Sequence, residues 1–320
     1  MKKIIFLICL CFGFQLSAQE VDLPEYINHM ADNPFIISPS YAGIGSGLQI
    51  RLNGVSQWVG VENSPNTQSL SVEARIAERF GGGLIIFNDS NGFTSQQGLR
   101  FSLASHLTLS DVYDSFLSFG LSYSFIQFSQ DTSRNNLEEL GTPDPLAVSR
   151  AIGSSNFDIS MLYRFDRFAI SANVINLLDK DIEDFTTGEP EVLRRYSLYT
   201  LYNWRINRNV EIEPSIFVKY FEASKRSKTD ANIKLRRRIN DGYIWAGVSV
   251  TLLNDQLGIP NDFSPMVGIK KHNFYFSYGL GLDTNDIISY NYGTHMITLG
   301  FDYDRRPSLA RCTQKLIMMF

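Results

Sequence analysis

The side chains that could do chemistry are scattered through this 320-residue chain. The serines have no histidine and aspartate partners in a recognisable order, and Gly81–Gly83 is not followed by a helix, as a phosphate-binding loop would require. None of the four histidines stands at metal-ligand spacing from a second histidine or a cysteine (His29, His106, His272 and His295). The sequence therefore predicts no catalytic residue, no metal centre and no cofactor, and the chain does not read as an enzyme.

An acidic segment near the middle of the chain could hold calcium, because carboxylates are the preferred ligands of that ion. It lacks the regular ligand ladder and the central glycine of a calcium loop, so a solvated external loop is the favoured interpretation. The acidic residues are Asp179, Asp181, Glu183, Asp184, Glu189 and Glu191.

Composition and the N-terminus indicate an exported protein. The chain is 44% hydrophobic, 13% aromatic and 19% charged, and its net charge of -4 gives no reason to expect a nucleic-acid partner. Residues 1–18 have the basic start, apolar centre and small final residue of a signal peptide, with cleavage expected after Ala18. A lipoprotein signal at Cys11 is a weaker alternative, since Leu10 is large for that processing. Cys312 alone would remain, so no internal disulfide is expected.

A period-2 pattern organises the rest of the chain. In Tyr243–Leu252 every second residue is apolar and the residues between are small or polar, which is typical of a strand with two different faces. About fourteen such segments of roughly ten residues recur, the length that a tilted strand needs to cross a bilayer. No apolar run is long enough for a membrane helix. The chain is thus either a soluble secreted β-protein or an outer-membrane barrel.

The connections favour the barrel. Long connections, such as 56–66 and 129–154, alternate with tight ones, such as 77–80 and 166. Outer-membrane barrels show this alternation because external loops are long and periplasmic turns are short. We therefore predict an all-β chain that forms a transmembrane antiparallel barrel of about 14 strands. Residues 48–303 would form the barrel, 19–47 an N-terminal periplasmic or plug segment, and 304–320 a C-terminal tail.

Charged residues of both signs lie on the polar faces of the predicted strands, and the apolar faces carry none. In a barrel of this width these side chains would line a water-filled lumen. The Arg236–Arg238 run could instead bind lipid phosphates or a periplasmic partner. The predicted lumen-lining residues are Arg51, Glu73, Arg75, Arg100, Asp158, Arg164, Glu211, Glu213, Lys219, Lys234 and Arg236, with Lys270 and Asp302 in the same pattern.

Several short motifs resemble those of the PorP/SprF family of Bacteroidetes outer-membrane proteins. The opening pairs Asn33-Pro34 with a Pro-x-Tyr-Ala-Gly at Pro39–Gly43. Individually the motifs are loose, but together they span nearly the whole mature chain. The tail Asp304–Phe320 departs from the family pattern. The further matches are Gln57-Trp58, Pro65–Ser71, Gly81–Gly83, Asn88-Asp89, Asp144-Pro145 and Val174–Leu178.

The resemblance implies an outer-membrane barrel of the type IX secretion system, which is linked to gliding motility. Family members act with the translocon barrel and the periplasmic ring to support export or surface attachment of cargo proteins. Outer-membrane lipid, these secretion proteins and the cargo are therefore the expected partners. Tyr26–Gly43 would plug the lumen or dock a partner, or would be a plain periplasmic lead-in. The signature residues expected to bind partners are Tyr26, Asn33, Pro34, Pro39, Tyr41, Ala42, Gly43, Gln57 and Trp58.

A transporter barrel for a small hydrophobic or polar solute is the competing hypothesis. Barrels of the long-chain fatty-acid transporter type share the strand number and an N-terminal plug. Such a transporter predicts an apolar path through the lumen, whereas the predicted lumen here is charged.

Overall fold

The protein is described by a computed structural model that covers residues 27–45, 47–110, 112–130, 150–178, 194–255 and 260–303. The signal peptide, Tyr26, the acidic segment 179–191 and the tail 304–320 lie outside the described residues. Within these ranges no helix is long and apolar enough to cross a membrane. The described helices are short 3₁₀ turns at Ile27–Met30, Pro34–Ile36, Pro39–Tyr41 and Asp286–Tyr290.

One antiparallel sheet accounts for nearly all of the described structure, and it closes on itself. Neighbours in sequence are neighbours in the sheet, and β1 pairs with β15 while β10 pairs with β11. The strands are β1 (Leu48–Ser56), β2 (Asn66–Ala77), β3 (Phe80–Asn91), β4 (Thr94–Ser110), β5 (Ser115–Gln130), β6 (Arg150–Phe165), β7 (Phe168–Ile175), β8 (Arg195–Tyr202), β9 (Trp204–Arg205), β10 (Val210–Phe221), β11 (Arg226–Ile239), β12 (Gly242–Leu253), β13 (Pro260–Lys271), β14 (Phe274–Asp283) and β15 (Thr294–Tyr303).

The sheet has fourteen spanning strands, because β9 is a two-residue continuation of β8 beyond Asn203 and both pair with β10. The predicted closed barrel and its strand number are therefore confirmed. Closure matters because hydrocarbon offers no partner for an unpaired backbone N–H or C=O.

The two faces of the strands divide as the alternation predicts. Large apolar side chains such as Leu103, Phe119 and Leu299 are exposed on the outside of the barrel. Polar and charged side chains such as Arg51, Asn53 and Ser71 are buried inside. A soluble β-protein would bury the apolar rows against each other, so this arrangement is that of a membrane barrel.

The turns at the periplasmic end are tight. Asp166, Asp241 and His272 adopt positive φ angles of 48°, 60° and 54° there, a left-handed conformation that short polar side chains tolerate better than branched ones. At the other end, two connections expected to be long are shorter than predicted. β3 and β4 stay paired to Asn91 and Thr94, and β10 and β11 to Phe221 and Arg226. Turn-forming residue types in these segments belong to strands that continue beyond the bilayer.

The lipid-facing assignment predicts a depth-dependent cost of introducing a charge. Leu103 and Leu109 are both outward-facing residues of β4, 61% and 55% exposed, but Leu103 lies mid-strand and Leu109 near the periplasmic end. We expect Leu103→Arg to lower the free energy of unfolding by about 2–4 kcal/mol and Leu109→Arg by about 0–1 kcal/mol. Urea unfolding in lipid vesicles measures both values, and equal costs would contradict the assigned membrane position.

Candidate functional site

The segment 29–44, here called the plug, lies inside the barrel. Pro34 and Pro39 each open a 3₁₀ turn, where the fixed φ of proline suits the first position and its missing N–H is not needed. Asp32 has a φ of 52°, which turns the chain between the first two 3₁₀ turns. Phe35 and Tyr41 are buried to 1% and 4% exposure. The local sequence therefore folds the plug into a compact unit that the barrel encloses.

Apolar contacts hold the plug on two sides of the lumen. Residues 35–44 cluster with interior side chains of β3–β8 and β10, and Met30 and Ala31 cluster with side chains of β1 and β12–β15. Interior apolar residues of the barrel therefore cluster where the plug touches the wall. Those facing the second half include Ile85, Phe87, Ile126 and Phe128, and those facing Met30 include Tyr243, Trp245, Met266, Tyr275 and Met296.

A buried ionic cluster fixes the first half of the plug. The Asp32 carboxylate accepts from Lys234 Nζ at 2.9 Å, from Arg236 Nη2 at 2.7 Å and from the Tyr243 hydroxyl at 2.7 Å. Burial alone would raise the pKa of Asp32, but the charges of Lys234 and Arg236 outweigh it and hold the pKa well below its ordinary value of 3.8. Asp32 therefore stays ionised in the lumen and ties the plug to β11 and β12.

Wall side chains satisfy the backbone of the second half. His106 bonds Ser118 Oγ through Nδ1 at 2.8 Å, which fits an Nε2–H that donates to the plug. A buried backbone group without a partner would be costly, so these contacts specify one position for the segment. The contacts are Ser40 N to Ser160 Oγ at 2.9 Å, Gly43 N to Glu73 Oε2 at 2.8 Å, His106 Nε2 to Ala42 O at 3.0 Å, and Arg75 Nη2 to Ile44 O at 3.1 Å.

Glycines in the wall provide room for the plug backbone. A Cβ at Gly81 would lie 1.9 Å from Ala42 O, and a Cβ at Gly120 would lie 2.3 Å from Ser40 N. Gly43 in the plug has a φ of 68° and lies against Gly81 and the Ala74 carbonyl. Gly81 therefore allows close approach of the plug backbone, whereas Gly82 and Gly83 lie against the side chains of Ile76 and Phe35.

The charged residues named from the sequence lie at inward-facing positions, most of them in ion pairs. Arg164 places its guanidinium 4.9 Å from the centre of the Phe116 ring. Charges of both signs thus neutralise each other in the lumen rather than forming a field of one sign. The pairs are Arg51–Asp302, Arg100–Asp158 at 3.2 Å, Lys219–Asp230 at 3.0 Å, Lys234–Glu213 at 3.0 Å, Lys270–Asp302 at 2.7 Å and Arg236–Glu211 at 3.8 Å, with Glu73 and Arg75 bonded to the plug.

Sequence reasoning missed several residues of this site. Asp32, His106 and Ser160 contact or position the plug, but nothing in a single sequence connects residues so far apart along the chain. Asp230 could have been predicted from the sequence, because it alternates with Asn232 and Lys234 on the inward-facing side of β11. The plug contacts themselves could be found only once the barrel was closed around the segment.

The signature residues divide between two places. Asn33, Pro34, Pro39, Tyr41, Ala42 and Gly43 all belong to the plug and contact the barrel interior. Gln57 and Trp58 follow β1 at the extracellular end, where Trp58 Nε1 donates to Asp283 Oδ2 at 3.1 Å. Partner binding by these residues stays a prediction.

A cavity of about 130 Å³ remains beside the plug. Asp32, Arg51, Glu213 and Lys270 contribute charged groups to its lining, and Ile44, Tyr199 and Leu201 contribute apolar surface. Among the described residues, no group of three or more His, Cys, Asp or Glu side chains is arranged to hold a metal ion.

Comparison with known families agrees with this arrangement. The family described as "Type IX secretion system membrane protein PorP/SprF" matches residues 18–301, which include the plug and all but the last two residues of the barrel. The chain belongs to the PorP/SprF family. The resemblance seen in the signature motifs is therefore confirmed, and within this family the Pro-x-Tyr-Ala-Gly signature of the chain corresponds to the second half of the plug. None of the curated proteins matches the chain.

Solved structures with similar folds are outer-membrane barrels. The "CymD monoaromatic hydrocarbon channel" is 10% identical, with a TM-score of 0.53, and the match covers 91% of this PorP/SprF chain and 95% of that chain. The Pseudomonas putida toluene transporter TodX is 14% identical, with a TM-score of 0.48, over 85% of this chain and 92% of that chain. At such identities the likeness to CymD supports the fold alone.

The close approach of Gly81 to the plug backbone predicts that one added methyl group displaces the plug. Gly81→Ala places a Cβ against the Ala42 carbonyl, and neither backbone can move away easily. We expect the folded variant to conduct ions in planar bilayers at a frequency well above the parent barrel. Gly54→Ala is the matched control, because a Cβ at Gly54 meets nothing within 4 Å. Parent-like conductance of Gly81→Ala would show that the contact between Gly81 and Ala42 does not hold the plug.

The Asp32 cluster predicts a second way to loosen the plug. Asp32→Asn leaves Lys234 and Arg236 without the plug carboxylate, so we expect plug binding to weaken by roughly 3 kcal/mol. Limited proteolysis followed by mass spectrometry would show faster cutting within residues 29–44. Glu213→Gln removes a carboxylate from the same cluster but from the wall, so its cutting rate should stay near that of the parent.

The pH dependence of the plug provides a further check on the Asp32 cluster. Because the pKa of Asp32 is lowered, its stabilising contribution is fully present above the ordinary carboxyl pKa near 3.8 and is lost only as the pH falls well below it. The difference in cutting rate between the parent and Asp32→Asn should therefore be the same at pH 8 and at pH 5. A difference that shrinks within that range would contradict the assigned role of the carboxylate.

Proposed function

We propose that this chain is a plugged, non-enzymatic component of the type IX secretion system in the outer membrane. It supports the export or surface attachment of cargo proteins through contacts with the translocon and the periplasmic ring. Gliding motility is the cellular process that we associate with this role. The family match supports the secretion system, and the contacts with particular partners are the proposal.

The observation that carries this proposal is the filled lumen. The signature segment occupies the interior, wall glycines accommodate it, and the ionic cluster at Asp32 fixes it. A barrel whose most characteristic segment closes its own lumen is better suited to holding partners on its two ends than to passing cargo through its centre.

Each end of the barrel offers a distinct surface. The described periplasmic ends of β10–β13 expose basic side chains, including Arg208, Arg237, Arg238 and Lys271, and we propose that these meet the periplasmic ring. The plug signature and the tail 304–320 are further proposed contacts of the ring. At the extracellular end, Gln57, Trp58 and the 131–149 connection would meet the translocon or cargo.

Transport of a small solute is the second candidate, because barrels of this fold include a channel, CymD. CymD is described as a channel for monoaromatic hydrocarbons, so an apolar solute is the natural test. The cavity beside the plug is a poor match for such a solute. Arg51, Lys270 and Glu213 contribute to its lining, and an apolar molecule there would leave them partly desolvated without gain.

A deletion strain separates the two functions. We expect loss of the gene to deplete secreted and surface-attached proteins in quantitative mass spectrometry of medium and cell surface, with uptake of toluene unchanged. A plasmid with the parent gene should restore export, and Glu213→Gln should restore it equally. Unchanged export combined with lost uptake would reject the secretion role.

Co-purification from mild detergent tests the proposed partners. A tagged chain should retain the translocon and ring proteins at stoichiometric levels, and a charge-reversing Arg237→Glu, Arg238→Glu variant should lose the ring proteins while keeping the translocon. Retention of both by the variant would show that the basic end of the barrel is not the contact.

A further inference from the structure

Four amide side chains form a row across the outer surface of β2–β5. Gln68 is the cross-strand partner of Asn88, Asn88 of Gln97, and Gln97 of Gln127. Neighbouring strands lie about 4.8 Å apart, so the row is roughly 14 Å long. All four residues have the parity of the lipid-facing side chains on their strands, and Gln68, Gln97 and Gln127 are exposed.

The row lies at the extracellular boundary of the bilayer. On the membrane side of the row, the next outward-facing residue of each strand is apolar. These residues are Leu70, Ile86, Leu99 and Phe125, which are again cross-strand partners. The next level on the other side is made of Asn66, Ser90, Ser95 and Ser129, where Ser95 and Ser129 share a hydrogen bond of 2.7 Å. The transition from apolar to polar is therefore complete within one step of the strand.

This polar surface carries no charge at either of its two levels. Amide and hydroxyl groups both donate and accept hydrogen bonds without preferring an anion or a cation. On another flank of the barrel the extracellular ends of β8 and β10 carry Tyr196 and Tyr220, whose rings lie 6.3 Å apart, as in an ordinary aromatic belt. The amide row replaces that belt on β2–β5.

An outward-facing groove of about 540 Å³ joins the amide row to the apolar level below it. Leu70, Leu99 and Phe125 supply apolar wall, and Gln68, Gln97 and Gln127 supply the polar end. The groove therefore has one end suited to hydrogen-bonding groups and one suited to hydrocarbon.

We propose that this groove binds a glycolipid of the outer leaflet. The amides would bond the hydroxyl groups of its sugars, which present donors and acceptors side by side, and Phe125 would contact a sugar ring face or the first carbons of an acyl chain. The acyl chains lie over the apolar level, where hydrocarbon is the surrounding solvent. A phospholipid headgroup fits less well, because it offers the amides far fewer hydroxyl groups than a chain of sugars does.

The test uses the full, folded barrel in detergent and native mass spectrometry. The probes are a rough lipopolysaccharide with its core sugars, the matching lipid A without core sugars, and phosphatidylglycerol. We expect selective retention of the sugar-bearing glycolipid. Gln97→Leu with Gln127→Leu removes two amides at similar volume and should lower its retention about tenfold. Tyr220→Leu removes an aromatic ring at the extracellular end of β10, away from the groove, and should leave retention unchanged.

Other outcomes decide against the proposal. Equal retention of lipid A would show that the acyl chains alone bind, and preference for phosphatidylglycerol would assign the groove to ordinary phospholipid. A dimer that the double variant abolishes would assign the row to a second copy of the chain. A heat-dependent gel shift confirms that each variant is folded, so unaltered retention by a folded double variant overturns the proposal.

Discussion

The structure depends on one constraint, which is that every backbone polar group inside hydrocarbon needs a partner within the protein. A sheet meets this condition only when it has no free edge. The pairing of β1 with β15, from Leu48 with Tyr303 to Ser56 with His295, removes the last two edges. Closure explains the period-2 pattern, because one side of every strand faces lipid and the other faces the lumen.

Closure of fourteen strands also creates a lumen that wall side chains alone do not fill. The chain fills it in two ways. Charges of opposite sign pair between strands, as in Lys219–Asp230 on neighbouring strands and Arg100–Asp158 two strands apart, which removes the cost of an isolated buried charge. The plug occupies much of the remaining space, and interior apolar side chains of the wall cluster with Phe35, Ile37 and Met30. The ionic and apolar contacts together give the plug a single position.

The barrel could be predicted from the sequence because its signals are local. Alternation in segments such as Tyr243–Leu252 needs no knowledge of distant residues, and repetition makes the weak signal of each strand persuasive. The plug site depends on distant pairs, such as Asp32 with Lys234 and Ser40 with Ser160, which are 202 and 120 residues apart in the chain. The prolines and glycines of the signature indicated a constrained segment, but they left open a plain periplasmic lead-in. The loop between β3 and β4 was predicted to be too long, because strand pairing outweighed the local preference of the turn-forming residues near Asn91.

The wall formed by β2–β5 is used on both of its faces, which explains why its register must be strict. Ile85 and Phe87 on β3 face the plug, while Ile86 and Asn88 face outwards. A slip by one residue would turn the amide row into the lumen and place the apolar plug contacts at the membrane boundary. Gly81 would also leave its place beneath the Ala42 carbonyl. The plug contacts on the inner face and the amide row on the outer face therefore require the same strand pairing.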